Sequence, residues 1–347
     1  MSLKFKTIGL VSILLFILSW FYLVPNRLTM TDNLRLTETL RMDKWEMVSD
    51  MSGIFDYPAY TDVFFFDVNN GVTLLSGVGG ERTKDGGKTW ENISDFDNIG
   101  TSSLIFINSE IWVVGANIAN KKDRPVILKS NDKGEHWKRQ NFDLKSLKQV
   151  NKEFSYFDDI CFDKNGKSWI VGDGGILEAK FENNKFKISR IFETKEKLYH
   201  LLCEDSGKIW AYGDNGVIAY YNQLQWNYQK MGEDKVFTKM LIATDSMWLV
   251  GSSRKTSQRF LLKSKDNGLT WEDKTPTSAD GVTDIYLEKN VGWVIGFNGN
   301  IFKTLDGGET WEKEQSPTEK GLLSIFFLNS ENGWIVGDSG IVLRYKN

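Results

Sequence analysis

An eight-residue pattern that occurs four times along the chain constrains the fold more than any other feature of the sequence. Its order is Ser/Thr-x-Asp-x-Gly-x-Thr-Trp, and three copies keep this order, at residues 83–90, 264–271 and 304–311. A fourth copy, at 130–137, has His136 in place of the second threonine. Recurrence of one short pattern indicates a repeat architecture, in which each unit packs against its neighbours.

Each copy of the pattern predicts a tight turn between two strands. Ile301 and Phe302 precede one aspartate, and Asp-Gly-Gly or Asp-Asn-Gly supplies glycine where the turn needs a positive φ. The carboxylate is expected to accept backbone N–H groups, and the tryptophan to bury its ring against the adjoining sheet. We therefore interpret the repeated residues as scaffold; they are Asp85, Trp90, Asp132, Trp137, Asp266, Trp271, Asp306 and Trp311.

Seven units of about 43 residues fill the sequence from Lys44 to Asn347, a period typical of propeller blades. Each unit has an apolar strand, a turn, a second strand that ends near glycine, and a third strand. The second strands are predicted at 72–75, 111–115, 168–172, 209–213, 247–251, 292–296 and 333–337.

The two ends of the repeat region predict how the ring closes. The seventh unit stops after its third strand, whereas residues 45–48 form a fourth strand without a unit of its own. If the N-terminal strand completes the last blade, no open sheet edge remains to promote aggregation. The predicted fold is therefore an all-β, seven-bladed propeller closed by its N-terminal strand.

The N-terminus predicts a transmembrane helix. Residues 7–24 form an uncharged run that follows Lys4 and Lys6, and as a helix this run would span about 27 Å, close to a hydrocarbon core of about 30 Å. Bulky residues, Trp20 to Tyr22, occupy the place where a signal-peptide cleavage site would need small ones. We expect an uncleaved signal-anchor at 1–24, a stalk at 25–43 and the propeller at 44–347. The single apolar run predicts a single-pass protein. The positive flank predicts a cytoplasmic N-terminus, with the propeller outside the cytoplasm on the periplasmic or extracellular side.

The repeated pattern is the BNR or Asp-box motif of sialidases and of many secreted β-propellers. Longer stretches at 291–311 and 331–344 resemble the photosystem II assembly and stability factor family, whose seven-bladed propellers also occur in bacteria that do not photosynthesise. The resemblance implies a role in the assembly or stability of a membrane complex. It is specific for fold and weaker for activity.

A sialidase-like glycosidase is the enzyme alternative that this resemblance leaves open. Such an enzyme would need three arginines, a Tyr–Glu pair and an aspartic acid. The seven predicted inner strands, among them 63–67, 160–163 and 324–328, contain no arginine. We therefore predict a protein that is not an enzyme.

The remaining polar residues predict no catalytic, cofactor or metal site. His136 and His200 are the two histidines of the chain, and neither has a serine or cysteine at a spacing that suits a triad. Cys161 and Cys203 fall at corresponding places in consecutive repeats, where a disulfide and two buried thiols are both compatible with the sequence. A net charge of −3 argues against nucleic acid as a ligand.

Two long hairpins and one blade connection carry the residues that we predict to bind a partner. They are expected on the face opposite the box turns, and they contain Lys121, Lys122, Arg124, Lys138, Arg139, Lys145, Lys148, Arg254, Lys255 and Arg259. This clustering of positive charge in a negatively charged protein favours an acidic protein partner in the membrane or at the cell surface. The same loops are also compatible with an anionic glycan as the ligand, or with an immunity-type inhibitory role against a secreted protein. The simplest interpretation is that these charges are solvated loop residues without a binding role.

Overall fold

The computed structural model describes residues 44–54, 56–120, 124–142, 154–243 and 245–345. The signal-anchor predicted at 1–24 and the stalk predicted at 25–43 lie outside these residues and stay predictions. Within the described ranges, no helix is both long enough and apolar enough to cross a bilayer.

Short antiparallel strands make up almost all of the regular structure. The first strand and the first three blades contain β1 (Trp45–Ser49), β2 (Tyr60–Phe65), β3 (Gly71–Leu75), β4 (Gly80–Thr83), β5 (Glu91–Asn92), β6 (Ile99–Ile107), β7 (Glu110–Asn117), β8 (Val126–Ser130), β9 (Lys138–Arg139), β10 (Asn141–Phe142), β11 (Phe157–Phe162), β12 (Lys167–Gly172), β13 (Gly175–Glu182) and β14 (Lys185–Phe192).

The last four blades continue in the same way. They contain β15 (Leu198–Cys203), β16 (Ile209–Gly213), β17 (Val217–Tyr221), β18 (Trp226–Lys230), β19 (Lys235–Ile242), β20 (Met247–Ser253), β21 (Arg259–Ser264), β22 (Glu272–Asp273), β23 (Val282–Glu288), β24 (Val291–Gly296), β25 (Ile301–Thr304), β26 (Glu312–Glu314), β27 (Leu322–Asn329), β28 (Asn332–Gly337) and β29 (Val342–Tyr345).

These strands form seven sheets, which we number as blades 1 to 7 from β2 onward. In blades 1 to 6 the four blade strands pair in chain order, and in blade 7 the order is β27, β28, β29 and then β1. The seven predicted second strands are confirmed, with ends that differ by at most two residues. Blade 3 has a fifth strand that the sequence did not predict, because β10 pairs parallel to β14.

The predicted closure by the N-terminal strand is confirmed. Trp45 pairs with Tyr345 at one end of β1, and Ser49 pairs with Val342 at the other. The Trp45 side chain is only 1% exposed. Its ring packs against Phe327 and Tyr345 at centroid distances of 5.8 and 5.1 Å.

The core lies between blades, because the second strands are buried on both faces. In β16, for example, every residue is buried. Six of the seven second strands contain a tryptophan that is at most 2% exposed: Trp112, Trp169, Trp210, Trp248, Trp293 and Trp334. Truncating a buried indole costs about 3–5 kcal/mol, so these six rings contribute much of the stability of the ring of blades.

Blades 3 and 4 lack the box and still form their outer hairpins, as expected. In blade 3 the turn consists of Asn183 and Asn184, with φ values of 52° and 58°. Two consecutive positive-φ residues are the mark of the type I′ turn that suits a two-residue hairpin, and asparagine tolerates that conformation well.

Candidate functional site

The molecule presents two faces that differ in construction. We call the side with the strand 3–4 turns and the strand 1–2 hairpins the box face. We call the opposite side, with the strand 2–3 hairpins and the links between blades, the connection face. The inner strands β2, β6, β11, β15, β19, β23 and β27 surround a central channel between the two faces.

Within each box the aspartate is held by its own turn. Asp306 Oδ1 accepts hydrogen bonds from Thr310 N at 2.9 Å and from Thr304 Oγ1 at 2.7 Å, and Asp306 Oδ2 accepts one from Thr310 Oγ1. The bonds from Thr310 and Thr304 lower the pKa of Asp306 to about 2. In the variant box, His136 takes the place of the threonine, and its Nδ1 lies 2.8 Å from Asp132 Oδ2.

The box turns also lock each blade to the preceding one. Gly86 O, in the turn of blade 1, accepts a hydrogen bond from Trp334 Nε1 of blade 7 at 3.0 Å. Gly307 O, in the turn of blade 6, accepts one from Lys263 Nζ of blade 5 at 2.9 Å. Glu135, in the turn of blade 2, forms an ion pair with Arg82 of blade 1. The box turns therefore stabilise the packing of neighbouring blades.

A ring of polar residues lines the channel. Each inner strand has a bulge after its first residues, and the residue that follows the bulge borders a cavity of about 470 Å³. These seven residues, one from each blade, are Asp62, Ser103, Asp159, His200, Lys239, Asp284 and Ser324. We call them the channel ring.

The carboxylates of the channel ring join neighbouring blades. Asp159 Oδ2 accepts a hydrogen bond from Leu201 N of blade 4 at 2.8 Å, and Asp159 Oδ1 accepts one from Ser103 Oγ of blade 2 at 2.7 Å. Asp284 Oδ2 likewise accepts one from Ile325 N of blade 7 at 3.1 Å. Because these oxygens satisfy buried N–H and O–H donors, the ring stabilises the closed arrangement of blades.

The charges of the channel ring are unevenly distributed. Burial raises the pKa of Asp62 and that of Asp159 to about 6 each. Lys239 Nζ lies 3.3 Å from Asp284 Oδ1, and the charge of Asp284 raises the pKa of Lys239. Burial lowers the pKa of His200 to about 4, so His200 is neutral at pH 7.

Neither a sialidase-like arginine triad nor a metal site is formed by these residues. The seven inner strands, all of them described, contain no arginine. Among the described residues there is no group of three or more His, Cys, Asp or Glu side chains that suits a metal ion. Two carboxylates of the channel ring, those of Asp159 and Asp284, accept hydrogen bonds from backbone N–H groups of the next blade.

Cys161 and Cys203 form a disulfide, which decides between the two alternatives left open by the sequence. The bond joins the inner strands of blades 3 and 4. Cys161 pairs with Trp169 in its sheet, and Cys203 pairs with Ile209. The two cysteines thus occupy blade positions one residue apart.

Of the ten predicted partner-binding residues, four lie outside the described residues: Lys121, Lys122, Lys145 and Lys148. The other six fall into two groups, in blade 2 (Arg124, Lys138, Arg139) and in the strand 2–3 hairpin of blade 5 (Arg254, Lys255, Arg259). Lys138 pairs with Lys129 directly beside the box turn, so it lies at the box-face end of β9 and not on the connection face expected from the sequence. Blades 3 and 4 lie between the groups, so the described residues do not form one continuous basic patch. Their role in binding stays a prediction.

The arginines in both groups already make contacts within the protein. Arg124 Nε donates a hydrogen bond to Asn117 O at 2.7 Å, and Arg139 Nη2 donates one to Pro125 O at 3.3 Å. Arg254 forms an ion pair with Asp214 of blade 4. The Arg259 guanidinium lies 4.6 Å from the centre of the Phe297 ring of blade 6.

The channel ring was missed by the sequence analysis. Its signal is an aspartate directly before a β-branched residue in the first strand of a unit, and it recurs as Asp62-Val63, Asp159-Ile160 and Asp284-Ile285. Strict alternation along a strand does not predict a buried polar residue at this position. The aspartate is buried because a bulge precedes it and shifts the register of the strand.

Comparison with known proteins finds sequence and fold similarity to proteins that are described as assembly factors. Residues 274–346 match the family described as "Photosynthesis system II assembly factor YCF48". The "Photosystem II assembly lipoprotein Ycf48" of Nostoc sp. is 27% identical over 143 residues, which cover 40% of this chain and 38% of that protein. The chain thus matches little more than a third of the length of that relative.

Two longer matches extend over most of the propeller. The "Photosystem II stability/assembly factor HCF136, chloroplastic" of Arabidopsis thaliana is 21% identical over 311 residues, covering 76% of this chain and 70% of that protein. A solved structure described as "YCF48 bound to D1 peptide" superposes with a TM-score of 0.65 at 22% identity, covering 89% of this chain and 98% of that one. At that identity the superposition shows a shared fold.

Proposed function

We propose that this Asp-box propeller, which resembles the photosystem II assembly and stability factors, is a non-enzymatic protein-binding factor that assists the assembly or stability of a membrane complex. The observation that carries the proposal is the match of residues 274–346 to that family, together with relatives that are named as assembly factors. A related propeller is described as bound to a peptide of D1, which supports a segment of protein as the class of ligand.

The bonding of the carboxylates supports a binding role over a catalytic one. Asp159 and Asp284 in the channel accept backbone hydrogen bonds from the next blade, and Asp306 accepts them within its own turn. A general acid or base needs to exchange its proton with a substrate, and a carboxylate already bonded to the backbone is poorly placed for that exchange.

We propose that the propeller lies outside the cytoplasm on a membrane anchor. The uncharged run at 7–24 after Lys4 and Lys6 supports this topology. The Nostoc relative is named a lipoprotein, which supports membrane association by another kind of attachment. The disulfide between Cys161 and Cys203 is compatible with an oxidising compartment.

We assign the partner to the connection face. On the box face the turns hold neighbouring blades together, through contacts such as Trp334 Nε1 to Gly86 O. On the connection face the long hairpin of blade 2 includes Ile118, which is 47% exposed, and the hairpin of blade 5 includes the exposed Lys255. An exposed charge such as that of Lys255 chiefly affects how fast a partner associates and how strongly binding depends on salt.

The lysines are better test positions than the arginines. Reversing Arg254 would remove the ion pair of Asp214, and replacing Arg259 would remove its stacking on Phe297. Lys255 is exposed, and surface substitutions of this kind usually change stability by no more than about 0.5 kcal/mol.

The test is chemical crosslinking and pull-down of the tagged full chain from its native membranes. We expect the wild type to capture a subunit of a membrane complex, and the combined variant Lys121→Glu, Lys122→Glu and Lys255→Glu to lose this capture. The control variant reverses two exposed lysines of the box face, Lys88→Glu and Lys164→Glu, and should capture as well as the wild type.

Three results would contradict the proposal in distinguishable ways. Undiminished capture by the triple variant, or loss of capture in the control, would refute the choice of face. Recovery of a glycan without any protein would favour the glycan-binding alternative. Capture of a secreted protein alone, with inhibition of its activity, would favour the immunity-type role.

A further inference from the structure

The three most exposed large hydrophobic side chains of the described residues lie on one side of the molecule. Leu224, Leu269 and Leu305 are 85%, 71% and 68% exposed. Each lies in the turn between strands 3 and 4, in blades 4, 5 and 6 respectively. Three consecutive blades therefore each present a leucine at the tip of the box face.

The turns do not need leucine at these positions. In blade 6 the hydrogen bonds of the box come from Thr304, Asp306 and Thr310, and Leu305 lies between two of them. The corresponding positions in the box of blade 1 are occupied by the exposed Lys84 and Lys88. An apolar side chain in a position that tolerates lysine is unexplained by folding.

Contacts between blades hold the three leucine turns side by side. Gln229 Nε2, on the outer strand of blade 4, donates a hydrogen bond to Leu269 O at 3.2 Å. Lys263 Nζ of blade 5 bonds both Gly307 O and Glu309 Oε1 in the turn of blade 6, at 2.9 and 3.0 Å. The leucines thus form a fixed arc.

The charges beside the arc are largely neutralised by one another. Glu309 lies within 3.0 Å of Lys263, Lys265 and Lys274, which form ion pairs with it. Asp266 and Asp306 are bonded within their own boxes. The arc therefore presents apolar tips above paired charges, a surface that can approach lipid without a requirement for strongly acidic headgroups.

The polypeptide enters the propeller on the same face. Trp45, the first residue of β1, pairs with Tyr345 at the end of β29, whereas the other end of β1 reaches the connection face at the hairpin of blade 7, where Met51 N bonds Ser339 O. The chain that precedes Trp45 therefore joins blade 7 at the box face, next to the blades that carry the arc.

We infer that Leu224, Leu269 and Leu305 contact the bilayer, inserting into its interfacial region so that the box face lies on the membrane. The inference rests on the membrane anchoring in the proposed function. Attachment through residues 1–24 would raise the effective concentration of the arc at the lipid surface, so weak insertion by three side chains is sufficient. The connection face then points away from the membrane, toward a partner.

The experiment uses nitroxide labels on the full chain, reconstituted into phosphatidylcholine nanodiscs. Single variants Leu224→Cys, Leu269→Cys and Leu305→Cys are compared with Ser278→Cys, which replaces an exposed residue on the connection face after the same blade as Leu269. The native cysteines are joined in a disulfide and leave the label to the new thiol. For each label we compare its collision rate with oxygen, which is enriched in lipid, with its collision rate with a water-soluble nickel complex. We expect the ratio of the oxygen rate to the nickel rate to be several-fold higher at the three leucine sites than at the Ser278 site.

The possible results distinguish failure of the lipid contact from failure of the proposed function. If the full chain fails to float with phosphatidylcholine vesicles, the anchor and the lipid contact are both refuted. If it floats and the leucine labels are as accessible to nickel as the label at Ser278, the lipid contact alone is refuted and protein binding stands. Spin–spin broadening that grows with protein concentration would assign the arc to a second copy of the chain and would also overturn the inference.

Discussion

Replacing Trp45 by alanine should remove much of the stability of the propeller, because this one ring closes the last blade. The indole is 1% exposed and packs against Trp293, Phe327 and Tyr345 at centroid distances of 6.4, 5.8 and 5.1 Å. Its Nε1 donates a hydrogen bond to Glu314 Oε2 of blade 6 at 3.0 Å. Truncation of such a ring costs about 3–5 kcal/mol, which is a large part of a typical stability of about 5–15 kcal/mol.

The assay is urea denaturation followed by intrinsic fluorescence, with the melting temperature as a second measure. Met47→Ala is the matched control, because Met47 lies on the same strand and is 44% exposed. We expect this control to shift stability by less than about 1 kcal/mol. Deletion of residues 1–43 should likewise be tolerated, whereas deletion of 1–52 removes β1 altogether. Equal midpoints for Trp45→Ala and Met47→Ala would refute closure through β1.

Two further predictions concern the channel and the disulfide. Burial raises the pKa of Asp159 in the folded protein to about 6. The protonated carboxyl group therefore stabilises the folded state by up to about 3 kcal/mol below pH 4, and this stabilisation is lost as the pH rises through 6. The difference in unfolding free energy between wild type and Asp159→Asn should be larger at pH 4.5 than at pH 7.5, and a difference independent of pH would contradict this. Reduction of the Cys161–Cys203 bond, which closes a separation of 42 residues, should cost up to about 4 kcal/mol, measured as a lower urea midpoint with dithiothreitol; an unchanged midpoint would show that the bond adds nothing to the joining of blades 3 and 4.

Blade number, strand order and closure could be predicted because they are encoded locally. Each box specifies its own turn, and each second strand is apolar on both faces and ends near glycine, as at 209–213. Trp45 could be assigned to blade 7 because a lone fourth strand and an incomplete seventh unit complement each other. Such features need no knowledge of contacts distant in sequence.

The channel ring and the pairing of charges could not be predicted in this way. Whether Asp159 faces the channel depends on a bulge between Phe157 and Asp159, which shifts the register by one residue. The neutralisation of Arg254 depends on Asp214, which lies in a different blade. Loop sequences indicate where charge is available, and the neighbouring blade decides how much of it remains for a partner.

Site-specific photocrosslinking from both faces, in native membranes, tests the central claim most directly. A photoreactive amino acid is placed at position 118 or 255 on the connection face, or at position 88 on the box face, in the otherwise unchanged full chain. We predict that positions 118 and 255 crosslink to the same subunit of a membrane complex, and that position 88 gives no protein adduct. A protein adduct formed only from position 88, or no protein adduct from any of the three, would contradict it.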